Sequence, residues 1–386
     1  MIRHSRVVTF ICATAICLSL SGCWSAIEIQ SMSYVKALGI DFIDNKFTIY
    51  VQLLDFSNIA KSEAGGKANE QAIVWIGKGT GETLVSAITD LFKTAQFRLS
   101  WGHVSSIILS ERAIHAQGNN IVEMINRYPE IRYNAWVYGT RSPIDKLMAT
   151  TPFFKLSPLE SIMHDPKSNY QQNSIFPPTL FFKYIATFNE PSATSYLPSL
   201  GINNVQWEEG QVKKPMLMIN GAFFEYGKKT KGFITRGKLE GYHWLIPSMK
   251  SAPLEVKKDG AIYGQLVIVQ PKIKITPVIH GTEVRFRIKG NYLAGMYEYL
   301  VPISYDEMAK LAEETIKKQI MLTYEEGLNI GVDPFELGHK LRLKHPHLWK
   351  KLSHNGSQLV IDAKSIESLD IKVNISYNGK YKRQTQ

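Results

Sequence analysis

The sequence predicts an α+β protein of three mixed α/β domains with largely antiparallel sheets, carried behind a cleaved signal peptide. Three observations lead there. Short alternating runs that read as strands are mixed with helix-period runs, and no regular βα repeat orders them. The clearest strand pair, residues 265–278 with 284–292, turns back through His280-Gly281-Thr282 and is therefore antiparallel. The chain opens with a basic start and an apolar run too short to cross a bilayer comfortably.

The amino-terminal segment is the first element. Arg3, His4 and Arg6 precede any acid, and Glu28 is the first acidic residue of the chain. Residues 7–20 are apolar or small, 14 positions, where a spanning helix needs ~20. They fit the h-region of a secretory signal. Leu20-Ser21-Gly22-Cys23 follows and resembles the lipobox of bacterial lipoproteins. That resemblance implies cleavage after residue 22, diacylglycerol on the Cys23 thiol, and retention on the outer face of a membrane. Each buried acyl carbon contributes ~0.8 kcal/mol, so two chains hold far better than one.

Composition agrees with export. Cys12 and Cys17 lie in the signal, so the mature chain of 386 − 22 = 364 residues keeps one Cys, and lipid consumes it. No disulfide framework and no Cys-based metal site remain. The net charge of +11 falls to +9 once Arg3 and Arg6 are removed. Behind a secretion signal, that charge favours a membrane surface or an acidic partner over nucleic acid. The lysines at 213, 214, 228, 229, 231, 257 and 258 are scattered, as on solvated loops.

The amino-terminal domain spans 23–200. Residues 34–40 and 46–54 read as paired strands, 57–70 as a polar loop and 72–76 as another strand. Gly77-Lys78-Gly79-Thr80-Gly81 leads through Glu82 into a helix with Leu84, Ala87, Ile88 and Leu91 on one face. A strand at 104–109 and a helix near 121–127 follow, then an irregular connector over 152–198. A small middle domain, 201–262, carries a strand at 216–226 with Gly221 as a bulge, and a basic turn at 228–231. The carboxy-terminal domain, 263–386, holds the long strand pair. It continues with a capping box at Ser304 and Glu307 and a helix face of Met308, Leu311, Ala312, Ile316, Ile320 and Met321. Asp333-Pro334-Phe335-Glu336 reads as a second helix start, and a strand at 371–377 ends in the Asn378-Gly379 turn.

No group of residues argues for an enzyme. The glycine run at 77–81 lacks the Gly-Lys-Ser/Thr ending of a phosphate loop, and Glu82 puts negative charge where phosphate would sit. His345-Pro346-His347 has no carboxylate close by in sequence and reads as a helix end. His103 precedes an apolar strand, where a packed ring is commoner than a general base. Glu208-Glu209 and Glu313-Glu314 sit in polar runs. Neither a Gly-x-Ser-x-Gly elbow nor a His-Glu-x-x-His helix occurs. The expected assignment is no catalytic residue, no cofactor, no metal, and Cys23 as the lipid attachment site.

Ordered motifs carry the reading further. Gly22-Cys23-Trp24, Ala37-Leu38-Gly39-Ile40-Asp41, residues 77–84 (GKGTGETL), residues 98–103 (RLSWGH) and Pro129-Glu130-Ile131-Arg132 appear in turn. Asp333-Pro334-Phe335-Glu336-Leu337-Gly338 and His345-Pro346-His347-Leu348-Trp349 close the series. Together they resemble the Ger(x)C family, the lipoprotein C subunits of spore germinant receptors. Ser25-Ala26-Ile27-Glu28 departs from the family's charged run after Cys-Trp, and Ser353-His354-Asn355-Gly356 from its Trp-x-x-x-Phe segment. The resemblance implies a three-domain lipoprotein on the outer face of the inner spore membrane, assembling with integral-membrane A-type and B-type subunits. It implies a scaffold that nutrient-triggered germination requires. The alternative, a solute-binding lipoprotein of a transporter, would show two lobes of repeated strand–helix units, which the antiparallel pair at 265–292 disfavours.

Overall fold

A computed structural model of the chain describes residues 32–54, 74–281 and 283–376. The signal peptide, Cys23, the polar run at 57–70 and the Asn378-Gly379 turn lie outside the described residues.

The first sheet starts where apolar residues fill both faces of a strand. In β1 (Met32–Ile43) and β2 (Lys46–Leu54) side chains on either face are buried, so both strands lie inside the sheet. Asp44 and Asn45 join them in the left-handed backbone (φ 49° and 59°) that these residues tolerate and a two-residue hairpin needs. β3 (Val74–Gly81) pairs with β2, and α1 (Leu84–Phe92) folds back over it. Thr83 and Ser86 cap that helix reciprocally, and Leu84, Ala87, Ile88 and Leu91 are its buried face, as their spacing predicts.

The next strands run parallel. β4 (Arg98–Ser100) and β5 (Ser106–Ser110) lie beside β1, and α2 (Glu111–Arg127) crosses to β6 (Trp136–Thr140), parallel to β5. This βαβ unit is absent from the sequence-level expectation. Only the last half of α2 shows a clean period, because the helix is interrupted at Gln117 (φ −141°). α3 (Ile144–Ala149) precedes the connector, which holds α4 (Lys167–Gln172) and α5 (Phe181–Asn189) and reaches the core as well as the surface. Phe181, Tyr184 and Phe188 of α5 are buried.

β7 (Thr194–Asn203) lies parallel to β6. The short hairpin of β8 (Glu208–Glu209) and β9 (Val212–Lys213) then leads to β10 (Met216–Tyr226) and β11 (Lys229–Thr235). The order is β11-β10-β7-β6-β5-β1-β2-β3, with β4 beside the start of β1. Gly221 interrupts the β7–β10 register, the bulge its position predicts. The boundary expected between 200 and 201 falls within β7. Hydrogen bonding then carries residues 216–235 into this first sheet, so they do not stand apart from it.

The second sheet has the order β12-β13-β14-β15, from β12 (Ser251–Lys258), β13 (Ala261–His280), β14 (Glu283–Tyr299) and β15 (Ile366–Ser376). Helix α6 (Tyr305–Asn329) packs on it and buries Met308, Leu311, Ala312, Ile316 and Ile320. Ser304 Oγ accepts from Glu307 N at 3.1 Å, so the hydroxyl caps the helix as its position predicts. The second start signal works differently. α7 (Leu337–Lys344) begins after Glu336, which is left-handed (φ 54°), and buried Asp333 reaches forward to accept from Gly338 N at 2.6 Å. α8 (Pro346–Leu352) follows with Pro346 in its first turn. Among the described residues seven of twelve strand pairings are antiparallel, so the sheets are mixed but mostly antiparallel.

Candidate functional site

The residues audited for chemistry are dispersed. Gly77 and Gly79 lie in β3 under α1, where a Cβ on Gly79 would stand 2.2 Å from Ala87 O, so the glycines permit close helix packing. Glu208 and Glu209 pair with Lys213 and Lys214 on the small hairpin. Glu313 Oε1 accepts from Val373 N at 3.1 Å and ties α6 to β15. His345 and His347 are exposed at the α7–α8 junction. Among the described residues no three His, Cys, Asp or Glu side chains are grouped to hold a metal. His103 is exposed and set edge-on to Tyr34 at 4.8 Å; burial of part of its ring, with Lys36 and Arg132 near, lowers its pKa.

Three buried polar groups escaped the sequence-level reading, because each is assembled from distant segments. Asp41 accepts from Arg112 Nη2 at 2.5 Å and from Ser110 Oγ. Burial alone would raise its pKa, but these donors and the Phe42 amide hold the carboxyl below its usual range. His164 bridges Ser105 Oγ (2.7 Å) and Gln52 Oε1 (2.8 Å). The array resembles a hydrolytic triad, yet His164 and Gln52 are buried, a neutral amide stands where a carboxylate would, and burial drives the imidazole pKa to about 3. It is a structural clamp. Glu225 is 1% exposed and accepts from Tyr184 Oη at 2.8 Å and Ser195 Oγ at 3.1 Å. Burial raises its pKa to about 7 despite those donors.

Surface features lie at opposite ends of the first sheet. At the end where β1 begins, Trp75, Phe97, Tyr133 and Phe182 are exposed. Register places all four toward the end of the sheet where β1, β3 and β6 begin. Trp75 is opposite Leu53 and thus level with Val35, Arg98 beside Phe97 pairs with Met32, and Phe182 N donates to Tyr133 O. Arg98, Arg132 and Lys183 neighbour Phe97, Tyr133 and Phe182 in the chain, and Lys183 Nζ lies 6.0 Å from the Phe182 centroid.

The other end carries two adjoining clefts that share Trp207 and Met216. One, of about 610 Å³, lies between β7 and β10 on one side and the connector at 162–178 on the other. Asn169, Gln172, Asn173, Asn203, Gln206 and Arg236 supply its polar lining. The second, of about 720 Å³, is edged by Phe153 and Phe154, with Phe153 edge-on to Trp207 at 4.6 Å. The carboxyl ends of parallel strands are where ligands bind in open α/β sheets, and β7 supplies one such end here.

Comparison with known proteins follows this layout. Residues 25–202 match the family described as "Spore germination protein N-terminal domain", and residues 219–379 match "Spore germination B3/ GerAC like, C-terminal". The chain belongs to the Ger(x)C family of spore germination proteins. Three Bacillus subtilis (strain 168) relatives share its length. "Spore germination protein YndF" is 22% identical over 99% of this chain and 98% of its own. "Spore germination protein KC" is 20% identical over 86% of each chain, and "Spore germination protein B3" is 21% identical over 93% and 94%. The crystal structure of the GerBC protein aligns with 15% identity over 88% of this chain and 96% of that one, at a TM-score of 0.49.

Most Ger(x)C motif residues prove to be structural. Ala37 and Leu38 are buried, Gly39 admits Ile144 beside it, and Asp41 receives Arg112. Leu99 and Trp101 are buried, and Arg98 faces Glu130 at 3.8 Å. Asp333 caps α7, while Phe335, Leu337 and Trp349 enter the second core. No helix among the described residues is long and apolar enough to cross a membrane.

Proposed function

We propose that this spore germination protein is the lipid-anchored C-type subunit of a nutrient germinant receptor. In this reading it is cut before Cys23, acylated there, and held on the outer face of the inner spore membrane. Its folded domains dock integral-membrane A-type and B-type subunits and position them, without chemistry of their own. The observation that carries the reading is Leu20-Ser21-Gly22-Cys23 at the end of an apolar run, with the family match opening at residue 25.

The rim at the start of β1 supports it. Trp, Tyr and Phe rings interleaved with Arg and Lys suit a membrane interface, where amphipathic rings sit at headgroup level and cations meet anionic lipid. Nine residue steps separate Cys23 from Met32, and a chain of that length reaches at most about 30 Å. The rim therefore lies at the end of the sheet nearest the proposed anchor.

Replacing Cys23 with Ala tests the anchor in sporulating cells. The expected outcome is loss of the chain from the inner-membrane fraction and loss of nutrient germination, with the thermal melting of the purified protein unchanged. Wild-type retention together with wild-type germination sinks the proposal.

A further inference from the structure

We infer that the 610 Å³ cleft between β7, β10 and the connector is a binding site for a small organic carboxylate bearing hydroxyl, amino or amide groups. Its lining contains one cation, Arg236, and no Asp or Glu. The guanidinium is half-buried, and its Nη1 donates to a single carbonyl, Ile219 O, at 3.5 Å. Glu240, which attracts Arg236 from a distance, is itself held by Gln319 Nε2 at 2.9 Å. Among the described residues no carboxylate lies within ion-pair reach, so this partly desolvated guanidinium keeps its planar fork of donors for a ligand, and a carboxylate fits that fork through two parallel hydrogen bonds.

The remaining lining fixes the rest of the ligand. Asn173 also lines the cleft, and its Oδ1 has no hydrogen-bond partner among the described residues. Asn169, Gln172 and Gln206 add amides that both donate and accept. Trp207 and Met218 give an apolar wall for the carbon skeleton. The volume falls within the range of small-molecule sites, roughly 300–1,000 Å³. A neutral sugar would leave Arg236 unpaired, and a purely apolar ligand would leave the amides unpaired; both lose the hydrogen bonds that the lining offers. The site uses none of residues 1–31 and holds whether or not Cys23 carries lipid.

The experiment uses the full chain in detergent. Its thermal melting and Trp fluorescence are followed with gluconate, citrate and L-glutamine at millimolar concentration, and with glucose as the neutral counterpart. At least one carboxylate is expected to raise the melting temperature saturably, with glucose inert. Arg236→Gln is expected to weaken that carboxylate's binding about tenfold or more, the loss of a charge-assisted pair. Should Arg236→Gln disturb folding, Gln206→Trp keeps the question decidable, since it fills the mouth from an exposed position and should also abolish the shift. The inference is overturned if no carboxylate shifts the melt. It is equally overturned if glucose matches gluconate, or if folded variants respond like the wild type.

Discussion

The two sheets differ in what they bury. The second sheet and α6 enclose an almost wholly apolar core, and its buried phenols turn to main-chain carbonyls: Tyr292 Oη to Trp244 O at 2.5 Å and Tyr324 Oη to Asp362 O at 2.7 Å. The first sheet buries side chains that carry or accept charge, including Asp41, Gln52, His164 and Glu225, and both clefts border it. A core of the first kind depends mainly on packing, although Asp333 beside it is a buried acid whose pKa burial raises to about 6. A core of the second kind adds specificity and a pH dependence at some cost in stability. Both clefts and most of the buried ionisable side chains thus lie with the first sheet.

The largest effect that tests this contrast is in the second unit. Ile316 is fully buried against the sheet, and Ile316→Ala should cost about 4 kcal/mol through lost transfer energy and a residual cavity. Denaturant titration should give the same loss at acidic and at mildly basic pH. A pH-dependent loss would remove the distinction between the two cores.

Glu225→Gln should show the opposite behaviour. The folded pKa, about 7, is raised above the ordinary 4.5. Below the ordinary value the residue is protonated in both states and contributes no pH dependence. As pH rises toward 7 the unfolded chain releases its proton first, so the fold loses stability, and the loss is complete above the folded pKa. The Gln variant should match the wild type near pH 4.5 and exceed it above pH 7 by on the order of 3 kcal/mol. Parallel stability curves across that window would show that Glu225 does not titrate as a buried acid.

The smallest expected effect concerns His103, which sequence position made the one candidate general base. Its ring is exposed and contacts Tyr34 from the edge, so His103→Ala should change stability by no more than about 0.5 kcal/mol and leave germination intact. Loss of germination in a folded variant would restore chemistry to a chain read here as a scaffold.

Much of the architecture was legible in the residues. The faces of α1 and α6, the Ser304 cap, the Gly221 bulge and the pairing of β13 with β14 follow from periodicity and turn chemistry, which act within a few residues. The Phe181, Tyr184, Phe188 spacing of α5 carries the same signal, but it lies inside a Pro-rich tract that masks it. The parallel order β7-β6-β5-β1 was not legible, nor was the continuity of the first sheet past residue 200. Parallel pairing joins strands through long crossovers whose partners no local pattern names.

The candidate sites divide in the same way. The lipid site proposed at Cys23 rests on sequence alone, because the signal that points to it is a short local motif and needs no distant partner. Only the tertiary structure decides that Arg236 and Asn173, 63 positions apart in the chain, line one cleft. The same is true of Glu225 meeting Tyr184 and of the exposed rings that share the end of the sheet where β1 begins. Those environments arise from strand register and burial. Their energies depend on which groups share a low-dielectric space, and residue order by itself does not encode that.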